Sequence, residues 1–182
     1  MPTTIPESLT DGEIRLRPWR DEDADAQLAG FADPVFRRFS DGVPLDRADV
    51  VKRIRAVERQ RAEGTAAYWA IDDAHDGRLL GEVSLSGIDH RQGRASVGYW
   101  LTASARGRGV ATRAVRLAAR SAFTDLGLAR LELTCAPDNA ASQAVAERSG
   151  FRREGLLRAH LPFKGGRRDS LVYGLLPEDL AR

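Results

Sequence analysis

Gly98-Tyr99-Trp100-Leu101-Thr102-Ala103-Ser104-Ala105-Arg106-Gly107-Arg108-Gly109-Val110-Ala111-Thr112 reads as the end of a strand, a short polar loop, and a glycine-rich turn that opens a long helix. A helix start leaves backbone N–H groups without partners, and glycine lets a ligand come close to that backbone. Such a turn is a nest for anions, to which Arg106 and Arg108 add positive charge, and a diphosphate fits it. A bare Arg-Gly-x-Gly is more often a solvated surface turn, so its neighbours have to decide. No Gly-Lys-Ser/Thr follows the loop, which excludes the P-loop pattern. The flanking elements are not a run of parallel βαβ units, which excludes the dinucleotide fingerprint.

Upstream of the turn the chain alternates. Ile14 and Leu16 face one way and Arg15 and Arg17 the other, a strand stopped near Pro18. Asp21-Glu22-Asp23 supplies acid to the start of a helix carrying Ala24, Leu28 and Phe31. The stretch from Asp33 to Leu45, with two prolines and Gly42, is expected to be a loop. Asp46 caps a second helix running to about Glu63, with Val50, Ile54, Val57 and Arg61 on one face, and Gly64 ends it. Ala66–Asp72, Leu79–Ile88 and Ala95–Leu101 are three strands joined by hairpin signals.

Downstream, residues 109–126 form a helix with Val110, Ala114, Leu117, Ala118 and Leu126 inward. Leu131–Cys135 is a buried strand, and Asp138 caps a helix to Ser149. Phe151–Ala159 and Ser170–Leu175 complete the pattern. The order predicts an α+β fold with one mostly antiparallel sheet and a β-α-β crossover near its middle. Residues 1–12 read as a loosely held lead-in, 13–176 as a single domain, and 177–182 as a tail, with no internal repeat.

Composition narrows the function. At 182 residues, 42% hydrophobic and 30% charged, the chain is an ordinary globular domain. Twenty-eight basic against 26 acidic residues leave +2, too little to make nucleic acid or a membrane surface the default partner. One cysteine, Cys135, excludes an internal disulfide and a cysteine-based zinc cluster, and His75, His90 and His160 lack ligand spacing, so no metal is expected. The first residues lack a signal-peptide pattern and no apolar run is long enough to span a bilayer, so a cytoplasmic protein is expected.

Three motifs in order carry a resemblance. Arg106-x-x-Gly109-x-Ala111, then Pro137-Asp138-Asn139-Ala140-Ala141-Ser142, then Ser149-Gly150-Phe151 with Gly155, resemble the acetyl-CoA signature and second half of the GNAT N-acetyltransferase superfamily. The Gly98–Leu101 run and Asp169-x-x-x-Tyr173 are similar to its RimJ/RimL-like branch of ribosomal-protein N-terminal acetyltransferases. The match spans Glu13 to Leu176.

The resemblance implies a GNAT fold: a mixed sheet splayed in a V around Tyr99 and Leu131, with helices on both faces. It implies acetyl-CoA as cosubstrate, with its pantetheine bonded by backbone at Leu101 and Thr102. The diphosphate would lie on Arg106, Gly107, Arg108, Gly109, Val110, Ala111 and Thr112, and Asn139 would contact the pantetheine amides. Ser142 is the position for a hydroxyl that donates to the departing thiolate; capping or packing is the plainer reading. Many members carry a tyrosine further along this helix, where Ala146 stands.

For the base, relatives often have Glu two residues before the Gly-Tyr-Trp run, where this chain has Ser96. Glu82 is the substitute, with Asp89 and His90 behind it and a water chain without a single base as the alternative. Asp169 and Tyr173 either line the acceptor cleft or make structural hydrogen bonds. The expected acceptor is a protein N-terminus, a small-molecule amine or an amine-bearing antibiotic, with Arg37-Arg38 favouring acidic ones. The expected state is a monomer or homodimer. A catalytically impaired acyl-CoA sensor is the other reading of the missing glutamate.

Overall fold

In the computed structural model, which describes residues 5–41 and 46–180, eight strands form one sheet. They are β1 (Leu9–Thr10), β2 (Ile14–Pro18), β3 (Ala67–Asp73), β4 (Leu79–Asp89), β5 (Arg94–Leu101), β6 (Arg130–Cys135), β7 (Arg152–Phe163) and β8 (Gly166–Leu175), in spatial order β1-β2-β3-β4-β5-β6-β8-β7. Helices α1 (Ala24–Ala32), α2 (Pro34–Phe39) and α3 (Arg47–Ala62) precede β3. Helix α4 (Val110–Thr124) crosses from β5 to β6, α5 (Ala140–Arg148) follows β6, and α6 (Pro177–Leu180) ends the described chain. Every pairing is antiparallel except β5 with β6, the crossover the sequence predicts.

Period-two alternation sorts the sheet's two faces. Val83 and Leu85 of β4 go to one face, with Leu16, Trp69, Ile71 and Leu131, where they meet α4. Alanines 111, 114, 118, 119 and 122 make the buried stripe of α4, so that helix lies close on the strands. On the other face Val50, Ile54 and Val57 of α3, Ala24 of α1, and Trp19 and Trp100 form a second cluster.

Four expectations need correction. The segment from Asp33 is a helix as far as Phe39: Asp33 accepts from the amides of Val35 and Phe36, and Pro34 starts α2 without needing its missing N–H. Residues 42–45 of that predicted loop lie outside the described residues. The cap of α5 is Asn139, whose Oδ1 accepts from Ser142 N at 3.1 Å, because the helix begins one residue later than expected. The lead-in is tied down within its described part: Ile5 is buried, Pro6 C=O accepts from the Trp69 indole at 3.2 Å, and β1 pairs with β2. A two-residue strand is too short to show alternation. In the tail, Asp179 of α6 pairs with Arg152, its side chain only 7% exposed, so residues 177–180 belong to the domain.

Candidate active site

Strands β5 and β6 run together only where Arg94, Ala95 and Ser96 face Arg130, Leu131 and Glu132. Beyond Ser96 and Glu132 they part, and the V implied by the resemblance is present. The antiparallel ladder decides which backbone groups look into this notch. Thr102 N–H donates to Leu80 C=O at 2.9 Å while Leu101 faces Gly81, so the groups bonded to β4 alternate at 98, 100 and 102. Val97 N–H still serves the last β5–β6 pair and Leu101 C=O accepts from Arg106, so the free edge carries the amides of Tyr99 and Leu101. Of the two backbone positions named from the sequence, Leu101 faces the notch, and the amide of Thr102 is turned to β4.

At the open end of the notch lies the glycine-rich turn. Gly107 and Gly109 have φ of +72° and +77°, a left-handed backbone that other residues resist. A Cβ built at either meets nothing within 4 Å, so the turn is an uncovered cradle. The first bond of α4 runs from Arg113 N to Gly109 O, which leaves the amides of Val110, Ala111 and Thr112 ahead of it as the helix's positive end. This fits a diphosphate.

The two arginines part company. Arg108 makes no hydrogen bond or ion pair among the described residues. Arg106 turns inward: its Nη2 bonds Asp33 Oδ1 at 2.6 Å and Leu101 C=O at 3.0 Å. Burial works to raise the Asp33 carboxyl, but hydrogen bonds from Arg106, Phe36 N and Val35 N outweigh it and hold the group below its ordinary range.

Across the notch, α5 presents Ser142. Its Oγ accepts a hydrogen bond from the Tyr99 hydroxyl at 3.2 Å, a contact between residues 43 positions apart that no local pattern announces. Asn139 spends its Oδ1 on capping, which leaves its side-chain NH2 for a ligand. Cys135 is a buried thiol on β6, as expected of a small core residue.

Glu82 is elsewhere. In register with Trp100, it projects to the face opposite Tyr99, where it is 5% exposed. Both carboxylate oxygens are held by Arg53 Nη2, at 2.9 and 3.0 Å, and Gln27 Nε2 lies 3.4 Å from one of them. Burial pushes its carboxyl up while Arg53 draws it down, and burial prevails. The carboxylate thus neutralises Arg53 instead of facing the notch. Arg53 in turn lies against the rings of Phe31 and Tyr68.

Asp169 Oδ1 accepts from Ala159 N at 2.7 Å and fixes a kink in β7 where Ala159 has φ of +47°. Tyr173 is fully buried, packed with the core on the α4 face.

On the opposite face α2 bridges the limbs of the V. Asp33 ties its start to Arg106, and Phe36 packs edge-on to Trp100. From the far limb Arg168 Nη1 donates to Phe39 C=O at 2.6 Å, Lys164 N donates to Asp41, and Asp138 pairs with Arg38 at 3.2 Å. Sequence reasoning missed Asp33, Arg53, Gln27 and Arg168 as supports of the site. The Asp-Pro helix start at Asp33 was the one signal that could have found any of them.

A notch between splayed strands, with an uncovered glycine-rich helix start following one of them, is the layout of this site. The chain belongs to the acetyltransferase (GNAT) domain family, which matches residues 13–152, and so is an acetyl-CoA-dependent N-acetyltransferase. Its likeness lies with the RimJ/RimL ribosomal-protein acetyltransferases.

It is 30% identical to an uncharacterized N-acetyltransferase, p20, of Bacillus licheniformis, over 96% of this chain and 99% of that one. It is 34% identical to the ribosomal-protein-serine acetyltransferase of Escherichia coli, over 44% of this chain and 45% of that one. The structure of Mycobacterium smegmatis RimJ in complex with CoA-disulfide superposes with a TM-score of 0.85 at 29% identity, covering 96% of this chain and 88% of that one. Among the described residues no group of three or more His, Cys, Asp or Glu could hold a metal ion, and no helix is long and apolar enough to cross a membrane.

Proposed function

We propose that the chain acetylates a primary amine, with a protein N-terminus as the first candidate acceptor, by direct attack on acetyl-CoA while both substrates are bound. The observation that carries this reading is the parting of β5 from β6 after Ser96 and Glu132, on the strand that leads into the Gly107–Gly109 cradle. A relative named as a ribosomal-protein-serine acetyltransferase supports a protein acceptor, and the cytoplasm is the proposed location. Small-molecule amines and amine-bearing antibiotics remain in the same chemical class.

In this reading the free-edge amides of Tyr99 and Leu101 hold the extended pantetheine as a strand would, and one of them polarises the thioester carbonyl. The α4 start and Arg108 take the diphosphate, and the Asn139 NH2 meets a pantetheine carbonyl. The amine arrives from the face that carries α2. It loses its proton to water, because Glu82 is covered and paired with Arg53. Ser142 donates a hydrogen bond to the departing sulfur.

Acetyl-CoA incubated with the protein and a panel of N-terminal peptides and amines, followed by thiol release, tests the reading. Turnover with at least one amine supports it. Tight CoA binding without turnover would support a non-catalytic acyl-CoA sensor, which the pairing of Glu82 favours. Absence of both would discard the reading.

A further inference from the structure

The hydroxyl of Ser142 has two lone pairs and one proton, and what its neighbours take decides what it can offer. Its backbone amide is committed to Asn139 Oδ1 at 3.1 Å. One of its lone pairs accepts from the Tyr99 hydroxyl at 3.2 Å. Burial holds the Tyr99 phenol above its ordinary pKa, so it stays protonated and remains a donor at neutral pH. The proton of Ser142 and its second lone pair are then left for other partners.

Tyr99 itself lies on the stretch of β5 that has lost β6, and it reaches across the notch to the first turn of α5. Ala146, one turn further along α5, has no hydroxyl to share the task.

We propose that Tyr99 is a positioning residue for Ser142: by donating to its Oγ, Tyr99 fixes the serine rotamer and aims the serine proton at the sulfur leaving acetyl-CoA. The inference rests on the acetyl-transfer reading above. As the amine nitrogen bonds the acyl carbon, the C–S bond breaks with its electron pair on sulfur, and the ammonium proton passes to water. Ser142 keeps its proton throughout and shares it with the thiolate, and Tyr99 keeps its own and shares it with Ser142. Two hydroxyls in line polarise each other, so the bond to sulfur is stronger than a lone serine would give.

The test is a cycle of Tyr99→Phe, Ser142→Ala and the double variant, with two readouts. Removing one oxygen from a ring that keeps its packing leaves the fold intact. Turnover should fall about tenfold in Tyr99→Phe with the acetyl-CoA KM nearly unchanged, and the double variant should be no slower than Ser142→Ala alone.

The second readout needs no acceptor. The thiol of bound CoA is titrated by its ultraviolet absorbance, with acetyl-CoA-bound protein as the blank that removes Cys135. It should ionise at a higher pH in Tyr99→Phe than in the parent, and no higher still in the double variant than in Ser142→Ala. Tyr99→Phe indistinguishable from the parent in both readouts, or losses that add in the double variant, would overturn the proposal. If the parent fails to bind CoA, the acetyl-transfer reading falls first and takes this one with it. If the parent binds CoA but no amine turns over, the thiol titration alone decides.

Discussion

The two faces of the sheet are built on different terms. Against α4 lie alanines, valines and leucines, with Ser121 as the one buried polar residue of that helix. Against α1 and α3 the same sheet buries Arg17 with Asp72, and Glu82 with Gln27, and half-buries Arg53. Buried polar atoms without a hydrogen-bond partner among the described residues occur on both faces, with Trp19 Nε1, Trp100 Nε1, Gln27 Oε1 and Arg53 Nη1 here and Ser121 Oγ and the Tyr173 hydroxyl against α4. A dry face fixes a backbone, which is what a cofactor held by amides and a helix start requires. A polar face spends stability on orienting charges, and it is the face from which the acceptor arrives in the proposed mechanism.

The largest effect expected is on that polar face. Arg53→Met leaves the Glu82 carboxylate buried without its counter-charge and should cost about 3–5 kcal/mol of unfolding free energy. Adding Glu82→Leu should return most of it, since a buried pair replaced by apolar groups is often neutral. Chemical denaturation of the two single variants and the double variant measures this. If Arg53→Met alone is harmless, the face is wetter than the structure shows and the contrast with α4 collapses.

Next comes the cofactor side. Gly109→Asp puts a side chain and a negative charge where a left-handed glycine opens the cradle. Calorimetry should show CoA affinity down at least about tenfold, or roughly 1.4 kcal/mol, in a folded protein. Unchanged affinity would move the diphosphate off the turn.

A smaller effect ties the two faces together. Asp33 caps α2 on one side and holds Arg106 of the glycine-rich turn on the other. Its carboxyl is depressed in the folded state, so the stability it contributes is present above the unfolded value of about 3.9 and is lost as pH falls through the folded value. Asp33→Asn keeps a capping oxygen and removes the charge. It should lower the parent's stability by about 1 kcal/mol at neutral pH, and thermal melts of the two should converge as the pH drops below roughly 4. A gap that persists in acid would assign the effect to the cap.

These contrasts also explain what could be read beforehand. The strands of the α4 face, the helix start at Gly109 and the crossover from β5 to β6 are all local patterns, and each stands where alternation or helical spacing puts it. The polar face is assembled from distant pairs: Arg53 with Glu82, Arg106 with Asp33, Arg168 with Phe39 C=O. No periodicity announces such a pair, because each partner alone looks like an ordinary solvated charge. Glu82 shows the consequence. Nothing in its own stretch of sequence marks it as taken, and only the packing of α3 reveals that Arg53 has claimed it.

The smallest effect concerns the outermost tie between the limbs. Arg38 and Asp138 meet at 3.2 Å with their side chains 65% and 64% exposed. Such pairs are worth about 0.2–1 kcal/mol, and a Debye length of about 8 Å at physiological ionic strength screens them further. Arg38→Ala should therefore change the melting temperature barely at all, and not at all in high salt. Yet α2 is held to the far limb by this pair together with Arg168 and Lys164, and the acceptor must pass beneath or beside it. The KM for a peptide acceptor should thus shift more than stability does, by about two- to fivefold, while the acetyl-CoA KM stays in place. Measuring both KM values at low and high salt separates the possibilities. An acetyl-CoA KM that moves with Arg38→Ala would show that the strap acts through Asp33 and Arg106 on the cofactor side, and the two faces would then work as one.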